Sequence, residues 1–504
     1  MGVFEGVALG FGALASQPAS FAVIVMGLAA GIFFGAMPGI SSPMAVILVL
    51  PFTYGMEANF ALCFLAATYV GSVFGGGITA ILFKAPGTPE SSCDTFDGYP
   101  IARTEPERAL GIQITCSAIG GISACFIFLF VTYYLARWAL SFAAPEYFAL
   151  GLLGLSAVTS LGVRNQRKAI ISCLLGLFLA TVGIGRFAGT SRFTFGSSYL
   201  AAGISYVPAI IGIFAAAEVF KHAYAPSELV IQKIPTKFSA LTVGVREVVH
   251  YKLLMLKSMF IGLFLGILPG TGSTISSFIA YGEAVRSSKH PEKFGTGVPE
   301  GLIAPETANN AASAGVMVPT LALGIPGSST SAVILAAMMI YGLTPGPLII
   351  QLQPQLLYMI FIAMLFSNFV AVAFMLPAIK FFTTALTVPK KVLNPVIILL
   401  CVTGSFAINN NVADVFVMFM FGILGYFLEK YKYPVAPVVL GIILGPIIET
   451  GLTTGLVLTE YSFLAFFARP ITAVILALTV LFAAQPIVRD ILKKRRLGKE
   501  ADSS

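Results

Sequence analysis

Charge is what this chain has least of. Only 10% of its 504 residues are Asp, Glu, Lys or Arg, against 57% hydrophobic ones, whereas soluble domains are usually about a quarter charged. That poverty excludes a water-soluble globular protein. Histidine is scarce too: the three, at 222, 250 and 290, lie in or beside polar loops without metal-ligand spacing. The six cysteines (63, 93, 116, 125, 173 and 401) form no CxxC pair, and most sit in apolar runs, where Cys acts as a small soft hydrophobe. There is no GxxxxGK[ST] loop, no HExxH, no GxSxG and no histidine pair for haem, so the common nucleotide, zinc, acyl-transfer and haem chemistries have no foothold. No catalytic residue, organic cofactor or structural metal is expected. No basic residue precedes Lys84, which argues against a secretory signal peptide at the start.

What fills the chain instead is apolar sequence in runs of roughly 17–25 residues, the length that crosses a hydrocarbon core of about 30 Å as a helix. After the first hundred residues the expected spans are 111–134, 146–163, 169–186, 202–221, 252–268, 355–378, 392–408, 412–428, 434–452 and 471–487. The longest polar stretch runs from Tyr224 to Lys257. The formal net charge is +8, but its basic residues sit in short loops. One alternating set of loops holds twenty-three of them and the opposite set four. Such bias marks the cytoplasmic side and puts the C-terminus there, with Lys493-Lys494-Arg495-Arg496 facing anionic membrane lipids. No nucleic-acid partner is expected.

The sequence also repeats itself. Gly31 to Gly39 (GIFFGAMPG) matches Gly262 to Gly270 (GLFLGILPG), and Ala85 to Ser91 (APGTPES) matches Ile325 to Ser331 (IPGSSTS), at offsets of 231 and 240. The span at 111 starts inside and its counterpart at 355 outside, so the halves are expected to be inverted, as in secondary transporters. The expected fold is an all-α polytopic membrane protein of about a dozen helical segments with broken hairpins. Its parts are a first repeat (1–222), a cytoplasmic linker (223–257), a second repeat with an extra helix (258–487) and a basic tail (488–504). Glycines at 27, 31, 35 and 39, and at 262, 266 and 270, have small-xxx-small spacing, which predicts close helix packing.

Four Pro/Gly breaks interrupt the apolar runs. They contribute Gly39, Ser41 and Ser42; Pro86, Gly87, Thr88 and Ser91; Gly270, Thr271 and Ser273; and Pro326, Gly327, Ser328, Ser329 and Thr330. A break frees carbonyls on one side and N–H groups on the other. In lipid these must be buried in protein or line a wet cavity. Carbonyls with hydroxyls suit a sodium ion, and helix-start N–H groups suit a carboxylate. The plainer alternative is a set of kinks satisfied by neighbouring helices. A fifth element carries Glu306, Asn309, Asn310 and Ser313 at spacings that place them on one helical face. An intramembrane carboxylate is a functional candidate by default, the alternative being a polar helix start in a loop.

At these motifs the chain resembles the large membrane subunit of the tripartite tricarboxylate transporters, the TctA family. The resemblance rests on PGISSPMAVILVLPFTYG at 38–55, GSVFGGGITA at 71–80, APGTPESS at 85–92, DGYPIA at 97–102, Arg108 to Gly111, APETANNAASAG at 304–315 and GIPGSSTSAVIL at 324–335. It implies a bacterial inner-membrane permease working with a small four-helix membrane subunit and a periplasmic solute-binding protein. It further implies import of citrate or another small carboxylate on a sodium or proton gradient, with the PGTP and PGSS tips in the site. Lys84 and Glu90 stand out beside the first tip and are expected to pair or to alter substrate choice. Two other functions stay open: a membrane-embedded transferase acting on lipid-linked substrates, and a passive anion channel.

Overall fold

The computed structural model describes residues 2–37, 39–160, 166–185, 189–222, 239–268, 272–343, 345–385, 390–481 and 483–484. Among them the strands are β1 (Gly183–Ile184) and β2 (Ser191–Arg192), one antiparallel pair, and helices make up most of the rest. In lipid a helix satisfies its own backbone groups, so long apolar runs have no better conformation. Five helices are long and apolar enough to cross a membrane, or up to seven if each bent pair counts as one span. The all-α polytopic expectation therefore holds.

The chain begins with α1 (Val3–Ala15), α2 (Ala19–Gly35), α3 (Ser42–Val49), α4 (Ala58–Phe83), α5 (Asp94–Thr104) and α6 (Pro106–Ala139). Then come α7 (Ala144–Ser160), α8 (Gln166–Ala180) and α9 (Ser198–Ala201). Next, α10 (Tyr206–Ile211) runs through a π-helical turn into α11 (Ala217–His222). Of the expected linker, 223–238 lies outside the described residues, as does the basic tail. From 239 onward the linker is helical: α12 (Ser239–His250) meets α13 (Lys252–Ile267) at 87°. After these come α14 (Gly272–Ser287), α15 (Glu300–Gly315), α16 (Met317–Leu323), α17 (Ser329–Ile340), α18 (Ile349–Leu352), α19 (Pro354–Ala385), α20 (Lys390–Asn409), α21 (Val412–Lys430), α22 (Ala436–Leu458) and α23 (Phe463–Ala468).

Two compact units form. The first joins Met1–Leu140 to Val207–Tyr426, the second Ser141–Tyr206 to Phe427–Ser504. Each thus draws on both sides of the chain. Within the first, α2 lies along α4 because small residues remove the side chains between them. A methyl group at Gly27, Gly31 or Gly35 would strike the carbonyl of Phe64, Thr68 or Ser72. Thr68 Oγ1 also donates to the Gly27 carbonyl at 3.1 Å. The same device recurs where α13 meets α15, with Gly262 against Ala308 and Gly266 against Ala312. The glycine stripes are packing surfaces, as their spacing predicts. In the second unit, Glu146 at the start of α7 accepts from Arg469 Nε (2.7 Å), Thr472 Oγ1 (2.8 Å) and the Ala143 N–H (2.8 Å). Arg192 grips Glu449 with both terminal nitrogens, at 2.9 and 3.0 Å.

Candidate functional site

The first tip is the turn between α4 and α5. Helix α4 stops at Lys84, whose φ of 54° is left-handed, and Pro86 prevents resumption. The chain then folds back on α4, with the Gly87 N–H donating to the Gly76 carbonyl at 3.3 Å. A methyl group at Gly76 would meet the Thr88 and Ser91 hydroxyls, and one at Gly87 would meet the Gly35 carbonyl. Thr88 and Ser91 are 3.4 Å apart through their hydroxyls. Between them Glu90 turns inward and is only 8% exposed. It neighbours Thr88 and Ser42, at geometry that leaves Ser42 Oγ and Glu90 Oε2 unpaired. Lys84 does not pair with Glu90: its ammonium lies 5.7 Å from the centre of the Tyr99 ring. The left-handed cap sends the lysine outward while the carboxylate faces in.

The second tip joins α16 to α17. Gly324 ends α16 with φ 72°, the Gly327 N–H donates to Thr320 Oγ1 at 3.3 Å, and Ser328 caps α17. The cap is reciprocal: the Ser331 N–H donates to Ser328 Oγ (3.2 Å) and the Ser328 N–H to Ser331 Oγ (3.0 Å), the exchange of a capping box.

Tyr69 of α4, fully buried, joins the tips. Its hydroxyl is 3.3 Å from Ser273 Oγ on the first turn of α14, and Ser328 and Glu90 are its other polar neighbours. One polar cluster in the first unit therefore unites residues from all four breaks: Ser42, Thr88 and Ser91, Ser273, and Ser328.

A second cluster is built by α5, α6 and α15. Glu306 of α15 is fully buried. Its Oε1 accepts from Gln113 Nε2 (3.0 Å), from the Ser117 hydroxyl and from Asn310 Nδ2 (3.0 Å). The Asp94 carboxyl, also fully buried, is an electrostatic neighbour of Glu306, and both its oxygens and Glu306 Oε2 lack a hydrogen-bond partner. Three residues on, Asp97 Oδ1 holds the polar insert in place, taking N–H groups of Gly295 (2.8 Å), Gly297 (2.8 Å) and Val298 (3.0 Å). Helix α14 runs beside this chain of acids with Ser273, Ser277 and Tyr281 at four-residue spacing. They meet Tyr69, Cys93 and Asp97 respectively.

Not every expected site residue joins a cluster. Asn310 bonds Glu306, but both polar atoms of Asn309 are buried without a partner. Glu306, Asn309, Asn310 and Ser313 lie at helical spacing on α15, which is buried all round, and Ser313 Oγ donates to the Asn310 carbonyl at 2.7 Å. Gly39 is exposed at φ 94°, and Ser41 is the N-terminal cap residue of α3 without a side-chain bond. Pro86, Pro326, Ser329 and Thr330 shape the tips without a side-chain hydrogen bond to either cluster. Gly270 and Thr271 lie outside the described residues. Four participants escape the sequence reading: Tyr69, Asp94, Gln113 and Ser117. Their signal is faint, a few polar groups inside or beside apolar runs. Among the described residues no Lys, Arg or His is paired with Glu90, Asp94, Asp97 or Glu306, and no group of three or more metal-ligating side chains occurs.

The comparisons with known proteins agree with this architecture. The family model described as "Tripartite tricarboxylate transporter TctA family" matches residues 21–440. A relative from Agrobacterium vitis, "Uncharacterized 52.8 kDa protein in TAR-I ttuC' 3'region", is 34% identical over 506 residues, 98% of each chain. Another from the same organism, "Uncharacterized protein in TAR-II ttuC' 3'region", is 37% identical over 234 residues, which are 46% of this chain and 97% of that one. No solved structure matches the chain. A family match over most of the length, and a relative aligned from end to end, have one meaning: this chain belongs to the tripartite tricarboxylate transporter TctA family.

Proposed function

We propose that the chain is the permease subunit of a binding-protein-dependent secondary transporter of the bacterial inner membrane. It imports tricarboxylates or related small carboxylates, coupled to a sodium or proton gradient. Its partners are a small four-helix membrane subunit and a periplasmic solute-binding protein. The observation that carries this reading is that residues of all four Pro/Gly breaks gather around Tyr69 and Glu90. Broken helices at matched places in two halves are where transporters bind substrate and ion. The element order supports two related halves: α2, α3, α4, first tip, α5 and α6 are followed by α13, α14, α15 with α16, second tip, α17 and α19. We read the halves as inverted.

The electrostatics favour coupling over passive flow. Ser328 caps α17 but leaves the Ser329 and Thr330 N–H groups free for a carboxylate. Buried acids around them repel the same anion unless cations accompany it. An anion site of this kind binds best when the coupling cation is already in place. Reconstitution with the partner subunits, followed by labelled citrate uptake with and without a sodium or proton gradient, tests the reading. Accumulation that needs neither gradient would overturn it.

A further inference from the structure

In the second cluster Asp94 and Glu306 have no cation paired with them among the described residues. Asp94 and Glu306 are both fully buried, on helices α5 and α15 that pack against each other, and they are electrostatic neighbours. An ionised carboxylate only accepts, so two carboxyls can bond to each other only when one of them carries a proton. The donors around each group differ. Glu306 Oε1 already takes three donors, from Gln113, Ser117 and Asn310, as an ionised group would. Neither Asp94 oxygen receives any donor, and Glu306 Oε2 is otherwise open. An O–H on Asp94 pointed at Glu306 Oε2 satisfies both groups.

Among the described residues no cation is paired with either carboxyl. The titratable groups nearby are Cys93 at the cap of α5 and Asp97 on it, Cys116 on α6 and Tyr281 on α14. None is a cation. The charges of Lys257 on α13 and Glu283 on α14 pair with each other. Two ionised carboxylates that neighbour each other, buried and without a counter-charge, are strongly unfavourable.

We propose that Asp94 and Glu306 form one proton-binding site, a single proton shared by two carboxyls, and that this proton is a coupling ion of the transporter. The role, though not the site, rests on the transport reading above. Its physical basis is position. Helix α5 follows the first tip, and α15 leads through α16 into the second. The proton is the bond between the two tip-bearing segments. When it leaves Asp94 for water, two carboxylates remain face to face, and α5 and α15 must separate or admit solvent.

Infrared difference spectroscopy on the purified transporter in liposomes reads the site without needing transport. A carbonyl band of a protonated carboxylic acid is expected, shifting when aspartate alone is labelled with carbon-13. It should be lost in Asp94→Asn, whose amide N–H replaces the O–H towards Glu306. In the same liposomes, Asp94→Asn should lose at least tenfold in accumulation driven by a pH gradient while still exchanging labelled substrate across the membrane. The isotope shift is read on the natural chain, so a variant that failed to fold would not shield the proposal. Absence of a protonated aspartate band would overturn it. So would displacement of that band by sodium at constant pH, which would make the pair a sodium site, or unchanged proton-driven accumulation in Asp94→Asn. A band present in a chain that moves no carboxylate under any gradient would uphold the site and discard the transport reading.

Discussion

Tyr69 and Ser273, 204 positions apart in the chain, meet through their hydroxyls at 3.3 Å in the interior of the first unit. The contact ties the middle of α4 to the start of α14, and through Ser328 and Glu90 it touches both tips. Tyr69→Phe keeps the buried ring and removes only the oxygen. A hydrogen bond of about 1 kcal/mol corresponds to roughly a fivefold effect, so apparent substrate or ion affinity should fall by about that factor with expression unchanged. Uptake kinetics equal to the natural chain's would show that Tyr69 merely fills space.

The two tip hydroxyls should differ in kind. Ser328→Ala removes the cap of α17 and should cost about 1 kcal/mol of stability as well as affinity. Thr88→Ala deletes an oxygen whose bond to Ser91 is long at 3.4 Å and should affect affinity alone. Thermal unfolding in detergent, set beside uptake kinetics for each variant, separates the two. Equal loss of stability in both would refute the distinction.

Gly31 sits where α2 touches the Thr68 carbonyl. Gly31→Leu should push the helices apart, and overpacking of this kind costs about 1–3 kcal/mol or more. A lower unfolding temperature and reduced yield are expected. Normal stability would mean that α2 and α4 do not pack as described.

Asn309 buries two polar atoms without partners, a burden of about 1–3 kcal/mol for an orphaned group. Asn309→Leu should therefore raise the unfolding temperature. If the amide waits for a ligand, uptake should collapse more than tenfold at the same time. A stabilised variant that transports normally would leave Asn309 without a functional role.

Glu146 holds three donors at the start of α7. Glu146→Ala strands them and should cost about 2–4 kcal/mol, somewhat below the 3–5 kcal/mol for breaking a fully buried pair because Arg469 is 41% exposed. Double substitution of Glu146 and Arg469 should recover part of the loss, and a cycle with no coupling energy would count against the pair.

The parts of this molecule legible in the sequence are those that depend on one segment at a time. The expected span at 252–268 became α13, Lys252–Ile267, and the one at 412–428 became α21, Val412–Lys430, because lipid leaves long apolar runs no alternative to the helix. The Pro86 and Pro326 breaks were legible for the same local reason. Partnerships were not. Asp94 sits only three residues after the conspicuous Ser91, yet its partner Glu306 is two hundred residues away, and no spacing rule links them. The expected pairing of Lys84 with Glu90 failed because a left-handed cap and an inward turn separate side chains that are close in sequence. The polar face expected on α15 is there, but its burial on every side was not legible, because it depends on neighbours distant in sequence.

Three consecutive glycines of α4 each serve a different neighbour. Gly75 abuts Ile32 of α2, Gly76 the Thr88 hydroxyl of the first tip, and Gly77 the Gln113 side chain of α6. Substituting alanine at each in turn should yield three distinct defects from adjacent positions: a helix pair that fails to close, a displaced tip, and a disturbed acid cluster. Alanine is otherwise the better helix former by about 1 kcal/mol per residue, so here an improved local helix comes at the expense of everything docked on it. The triplet is a natural set of orthogonal handles, by which packing, substrate site and proton site can be perturbed one at a time within a single turn.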